Sequence, residues 1–417
     1  EAENIGKQNK DDIGLANIYE SFGIIYKQMG KYSKAINYLK EGLRITTNNE
    51  ILSREANILN TLGQCYTQMS KFEEASDYLK RSISIKRQLD RPALEISNSV
   101  ANLSDVHKRI GDYAKAISLR EESIEMAKDS SQVQLGRSIT SYANLLYYIG
   151  RTEKAHEQYL EALELCKKLK DSAALGMIYR HLGLIELNNS DPEKAIKYLM
   201  QANQTHQDSK HQIAMDTTTL FLAQAYLQND DLDNASKYID QAVMLTNRRR
   251  HSDKTQSFDE YYTLPSRCVQ ALINAKKGEG NNEELNSILN EIKTLHQEKH
   301  KGRELWWLSQ AYYLIKDYKH SQECQKLAQD ELYRKADRIR DEKIKQDYLE
   351  LPPLHKEIFM KIEEVPLVSD LQTTNEEVAE TGNTNEPIIF KFCPSCGFNN
   401  ENSFKFCPGC GSSLLSD

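Results

Sequence analysis

LGQCYTQMSKFEEASDYLKRSISI, the stretch from Leu62 to Ile85, holds four landmarks at fixed offsets: a large apolar residue, Leu62; a small one, Gly63; a turn former, Ser70; and an alanine, Ala75. The same four registers recur along the chain. The alanines are Ala35, Ala75, Ala116, Ala155, Ala195 and Ala235, spaced 40, 41, 39, 40 and 40 residues apart. Twelve residues before each stands Gly23, Gly63, Ser104, Ala143, Gly183 or Ala223. One position earlier comes Phe22, Leu62, Leu103, Tyr142, Leu182 or Leu222. Five residues before each alanine lies Gly30, Ser70, Gly111, Gly150, Ser190 or Asp230. Such a period predicts a stack of two-helix units.

Helix physics accounts for the residue types. Apolar residues at three- and four-residue steps, such as Tyr19, Phe22 and Tyr26, make a stripe along one helix face. The small residues let the two helices of a unit approach to contact distance. A single unit cannot cover its own stripe, so neighbours must stack into a superhelix with one concave face.

Leu62–Ile85 resembles a tetratricopeptide repeat (TPR), with its Gly-x-x-Tyr, its following alanine and a Leu or aromatic four residues later. Phe22–Ile45 and Leu182–Ala202 match similarly, and the resemblance covers Asp11 to Thr246. His107, Leu146 and Glu186 depart from the pattern in place of Tyr, and Arg120 in place of the aromatic or Leu. The family period is about 34 residues; here the extra length is assigned to the helices and to inter-repeat loops such as Thr46–Glu50. The longer unit is similar to the arrays of kinesin light chains, LGN-type adaptors and bacterial signalling regulators. That resemblance implies an all-α, right-handed superhelix whose first helices line the groove.

Beyond Asn247 the register decays. Tyr261–Lys277 and Glu283–His300 read as a degenerate pair, and Leu305–Ser321 as a divergent repeat. Glu323–Glu350 reads as one long charged capping helix that ends before Pro352-Pro353. The organisation expected is therefore six clear repeats over 1–246, degenerate repeats and a cap over 247–361, an acidic linker over 362–388 and a ribbon over 389–417. The linker carries seven carboxylates from Glu363 to Glu386 and no Lys or Arg, so it reads as a tether. A competing reading docks it into the chain's own groove.

The ribbon FKFCPSCGFNNENSFKFCPGCG, Phe390–Gly411, repeats a Cys-Pro-x-Cys-Gly knuckle. Cys393, Cys396, Cys407 and Cys410 form the four-thiolate set that structural Zn²⁺ prefers, one ion per chain. Four thiolates leave no open position for catalysis. Rubredoxin-type iron is the rival occupant. The unit resembles short zinc ribbons, a small β domain whose folding is coupled to the metal.

The 417 residues carry a net charge of −7, with a pI near 5.9. No global basic field attracts nucleic acid or an anionic membrane, and no stretch matches the apolar length of a spanning helix. Cys65, Cys166, Cys268 and Cys324 are isolated in helical patterns, which reads as buried apolar use in a reducing, cytoplasmic compartment. The first residue is Glu1, compatible with a removed signal peptide or an upstream domain. Nucleotide-loop, zinc-protease and hydrolase motifs are absent, so the chain reads as non-enzymatic.

Three functions are weighed: a scaffold binding a partner peptide in the groove, a sensory module of a larger signalling enzyme, and nucleic-acid association through the ribbon. By analogy with related arrays, the partner-facing positions are Glu20, Ile24, Lys27, Asn60, Gln64, Asp105, Lys108, Arg109, Asn144, Tyr147, Arg180 and Gln224, with Trp306 and Gln310 in the divergent repeat. Lys108, Arg109 and Arg180 make the central groove basic and imply a protein or peptide partner with acidic residues.

Overall fold

Turn chemistry sets each unit. In a computed structural model, which describes residues 11–129, 131–209, 212–252, 259–294 and 302–360, all six turn formers have positive φ, from 56° at Asp230 to 85° at Gly150. That left-handed residue lets its own amide and the next reach back to the helix end: Gly30 N–H donates to Lys27 O, and Lys31 N–H to Tyr26 O. Lys316, five residues before Ser321, has φ 66° and marks the same turn in the divergent repeat. In the degenerate pair the turn residue is Gly278, at φ 79°, and the loop is longer.

Among the described residues, eight helix pairs follow. They are α1 (Asp12–Gln28) with α2 (Tyr32–Asn48), α3 (Leu52–Gln68) with α4 (Phe72–Gln88), α5 (Ala93–Arg109) with α6 (Tyr113–Ala127), and α7 (Gln132–Tyr148) with α8 (Thr152–Leu169). Then come α9 (Ser172–Asn188) with α10 (Pro192–Asp208), α11 (Gln212–Gln228) with α12 (Leu232–Ser252), α13 (Asp259–Lys276) with α14 (Asn282–Thr294), and α15 (Gly302–Leu314) with α16 (Tyr318–Ala336). Two short helices, α17 (Glu342–Glu350) and α18 (Pro353–Met360), end the described chain. The described residues are all-helical, without strands. The loop assigned to Thr46–Glu50 is shorter than expected. Helix α2 runs through Asn48, so the length beyond the family period lies mostly in the helices.

The repeat register is the packing register. All six alanines are fully buried. A Cβ built on Gly23 would meet Leu39 at 2.4 Å, one on Gly63 would meet Leu79 at 2.5 Å, and one on Gly183 would meet Leu199 at 2.6 Å. The small residue thus sits over the side chain four positions beyond the alanine. Tyrosines stack across the same pairs: Tyr26 on Tyr38, Tyr66 on Tyr78 and Tyr226 on Tyr238, with ring centroids 5.2–5.4 Å apart. Most packing is between helices adjacent in sequence, as expected of a solenoid.

The long capping helix over Glu323–Glu350 is corrected. Helix α16 stops at Ala336, and Asp341 accepts from Ile344 N–H to start α17. The break exists because Ile339, Ile344 and Tyr348 are buried in one cluster with Tyr113, Ile139 and Ile149 of the third and fourth units. A straight helix could not deliver them there. Arg340 N–H donates to Gly111 O at 3.2 Å, and Arg151 pairs with Asp347 at 2.9 Å. Helix α18 returns to the last units, where Ile358 is buried and Gln329 donates to Ile358 O at 3.1 Å. The C-terminal helices therefore clasp the middle of the array to its end. The acidic linker and the four ribbon cysteines lie outside the described residues.

Candidate peptide-binding groove

First helices of successive units present equivalent positions about 40 residues apart, so their inward side chains meet from unit to unit. Lys27 donates to Gln64 at 2.5 Å, Asn102 to Asn60 at 3.0 Å and Arg109 to Gln68 at 3.4 Å. Asn188 donates to the Tyr147 hydroxyl at 3.2 Å, and Asn144 lies 3.5 Å from the Met177 sulfur. Six of the fourteen sequence-selected positions, Lys27, Asn60, Gln64, Arg109, Asn144 and Tyr147, thus take part in a ladder of contacts between neighbouring first helices. Glu20 is tied to Arg54 at 2.5 Å, which leaves it satisfied at the N-terminal end.

The middle of the ladder is cationic. Lys108 lies over the Tyr148 ring at 5.4 Å, and Arg180 stands on the next first helix but one. Neither pairs with a carboxylate among the described residues. Burial pushes the pKa of both downward; Arg120 and Arg109 lower Lys108 further, while Asp105 opposes them. His181 stacks on Tyr159 at 5.3 Å and meets Tyr147 edge-on at 5.9 Å. Burial, then Arg180 and Lys108, push its pKa down to about 3, so the ring is neutral at pH 7. Arg109 is exposed at the rim.

Gln224 and Gln310 come together with Trp306 around a cavity of about 540 Å³ at the C-terminal end. Trp306 needs correction as a partner-facing residue. It is 3% exposed and belongs to the core with Trp307 and Leu308, so it is a wall rather than a projecting contact. Its divergent unit carries more apolar residues on the first helix, and these close around the indole.

Reading inward positions alone misses His181, Asn188, Arg120 and Gln325. Two of these had a signal. Four residues after the alanine, other units carry Leu39, Leu79, Tyr159, Leu199 and Ile239, whereas Arg120 and Gln325 are polar. Both are buried, and Arg120 donates to Asp105 at 2.7 Å. The four helical cysteines are free and buried; burial pushes Cys65 and Cys166 up to about 11, away from thiolate chemistry. Among the described residues, no cluster of His, Cys, Asp and Glu is arranged to hold a metal ion, and no helix is long and apolar enough to cross a membrane.

The family model of the MalT-like TPR region matches residues 21–329. Solved structures with this fold include the apo quorum sensor NprR from B. thuringiensis, at 13% identity, covering 79% of this chain and 92% of that one with a TM-score of 0.57. A Rap protein complexed with Competence and Sporulation Factor is similar at 14% identity, 78% and 87% coverage and a TM-score of 0.56. The signal transduction ATPase with a tetratricopeptide repeat sensor from Pyrococcus horikoshii aligns at 18% identity over 67% of this chain, but only 42% of its own length, with a TM-score of 0.56. No curated protein matches the chain.

Proposed function

Because the chain belongs to the MalT-like TPR region family, we propose that it is a non-enzymatic scaffold that captures an acidic segment of a partner protein in its concave groove. One observation carries this reading. Lys108 and Arg180, on first helices two units apart, both press on His181 and are crowded by protein; among the described residues neither forms an ion pair with a carboxylate, although the charge of Asp105 is felt at Lys108. A cation held there without its full hydration gains more from an incoming carboxylate than a surface cation would. The similar Rap protein was solved in complex with Competence and Sporulation Factor, which fits an array that receives ligands. Free, buried cysteines fit a cytoplasmic setting.

Reversing charge at the rim and the floor together, Arg109→Glu with Arg180→Glu, is expected to weaken partner capture by the full chain at least about tenfold, since each lost charge-assisted contact is worth about 1.5–3 kcal/mol. The melting curve should stay unchanged, because neither side chain belongs to a core cluster. Undiminished capture by the stable double variant places the partner elsewhere.

A second reading is favoured by the similarity to the Pyrococcus sensor: the array is the sensory part of a larger signalling enzyme. The groove would then serve the same capture step, with the response made by another domain.

The ribbon is proposed to hold one structural Zn²⁺ through Cys393, Cys396, Cys407 and Cys410, whose chemistry as a four-sulfur donor set fits that ion. Metal analysis of the full chain should return one zinc per chain, lost in Cys393→Ser with Cys407→Ser. A chelator should remove the zinc and leave the helical circular dichroism nearly intact. An octahedral spectrum on cobalt substitution would overturn the assignment.

A further inference from the structure

We propose that the C-terminal clasp is an acid-released latch: a proton taken up by His355 at Nε2 unseats α17 and α18 and frees the third and fourth units from the last ones. Such a latch works whatever the groove binds.

The clasp has two seats and one joint. At the first seat, Ile344 and Tyr348 of α17 are buried among residues of the third and fourth units. Asp347 O lies against the turn of the fourth unit, 2.9 Å from where a Cβ on Gly150 would stand. At the second seat, Ile358 of α18 is buried in the core of the last units, and the Phe359 ring lies 5.2 Å from that of Tyr333. Leu349 packs against both cores. His355 is the joint. Its Nδ1 lies 2.6 Å from Tyr348 O, and its ring meets the Tyr348 ring edge-on at 4.9 Å. A residue of α18 thus grips the residue of α17 that reaches the third and fourth units.

That contact decides where a proton can go. A carbonyl only accepts, so Nδ1 carries the hydrogen of the neutral ring and Nε2 is the free base. The side chain is half-buried, so solvent can deliver the proton. The resulting imidazolium has neighbours of the wrong sign: Lys335 of α16 and Arg303 of α15 both oppose a third cation. Glu331 offsets Lys335 only in part, because Arg334 holds both its oxygens, at 2.7 and 2.8 Å, while Lys335 stands at 3.5 Å. Glu304 of α15 acts on the same two cations, but burial pushes its pKa up, so acid removes its charge. Three other histidines have a carboxylate neighbour: His107 lies 3.0 Å from Asp112, His156 3.4 Å from Glu186 and His320 2.8 Å from Asp317. His355 has no such ion pair among the described residues. Burial, helped by Lys335 and Arg303 and opposed by the Tyr348 carbonyl, pushes its pKa down to about 4.

An unperturbed histidine titrates near about 6.5. A ring held below that value contributes fully to the seated clasp above about pH 6.5, and the contribution is lost as pH falls toward about 4. Once α18 lifts, the imidazolium regains its water, which makes the open form the better base. Release also reaches the groove, since Leu354 of α18 lines the cavity beside Trp306 and Gln310.

Hydrogen–deuterium exchange of the full chain at pH 7.5 and pH 5, corrected for the intrinsic pH dependence of amide exchange, tests the latch on peptides covering α17. The opening equilibrium of α17 should rise about 25-fold at the lower pH, the factor implied by a fall from about 6.5 to about 4, while peptides of α3 and α4 change little. His355→Asn keeps a donor where Nδ1 stood but takes up no proton, so its α17 should open equally at both pH values. An unaltered chain without the rise overturns the proposal, as does a His355→Asn variant that keeps it. An equal rise in α3 and α4 also overturns it, because acid would then loosen the whole array. If His355→Asn is already open at pH 7.5, Arg303→Glu decides. A carboxylate facing the imidazolium should cut the rise to below about fivefold, and an undiminished rise overturns the latch.

Discussion

Gly63→Leu should lower the stability of the array by about 3 kcal/mol, the upper part of the range for overpacking a close contact. The cause is local and visible. A Cβ alone at this position would lie 2.5 Å from Leu79 Cγ and 3.2 Å from Ala75 O, and both of those residues are fully buried. Leu79 could move aside for one methyl group, but the alanine carbonyl belongs to the facing helix and cannot. Gly63→Ala should therefore cost much less, and the fourth and sixth units already use Ala143 and Ala223 there. For an array of this size, at about 2.1 cal/mol/K of unfolding entropy per residue, 3 kcal/mol corresponds to a fall in Tm of roughly 4–5 °C. Thermal melts of the two variants decide the matter. A Leu variant that melts like the parent would show that the helices do not meet at the assigned register.

Gly111→Asn should unseat the C-terminal clasp while leaving the units themselves formed. Gly111 has φ +80°, a conformation that asparagine tolerates better than most residues. The third unit's turn can thus survive the change, much as Ser70, Ser190 and Asp230 hold positive φ in theirs. The obstacle is distant in sequence. A Cβ at Gly111 would lie 1.9 Å from Arg338 O, a backbone atom of the segment that joins α16 to α17. Gly30→Asn is the matched control, because Gly30 has φ +70° in an equivalent turn and nothing within 4 Å of its Cβ. Detaching the clasp exposes Ile339, Ile344 and Tyr348, each worth about 1.5–3 kcal/mol when buried. Limited proteolysis between Asp337 and Asp341 should accelerate by at least about tenfold in Gly111→Asn and hardly at all in Gly30→Asn. Equal cleavage of the two variants would rule out a clasp held at that turn.

These two substitutions divide what the chain discloses. The Gly63 contact was legible from spacing, because both partners lie within one 40-residue unit and the same pairing recurs at Gly23 with Leu39 and Gly183 with Leu199. The groove was legible in part. Arg109, Asn144 and Tyr147 each touch a neighbouring first helix, because first helices repeat the same orientation and an offset counted in one unit transfers to the next. It failed at Trp306, where a divergent unit packs more apolar surface around an offset that faces the groove elsewhere.

By itself, then, the amino-acid sequence determined the helical repeat, its period and its turns. All of these follow from short-range periodicity, in which burial is shared only between neighbours. The tertiary structure alone decided where the chain folds back. Arg340 meets Gly111, and Asp347 meets Arg151 across 196 residues of sequence, pairings that no local pattern encodes. It also decided which polar side chains are left without partners. Lys108 and Arg180 stand out as charges in the sequence, but whether a carboxylate pairs with them depends on which groups the whole superhelix brings near them and which it keeps away.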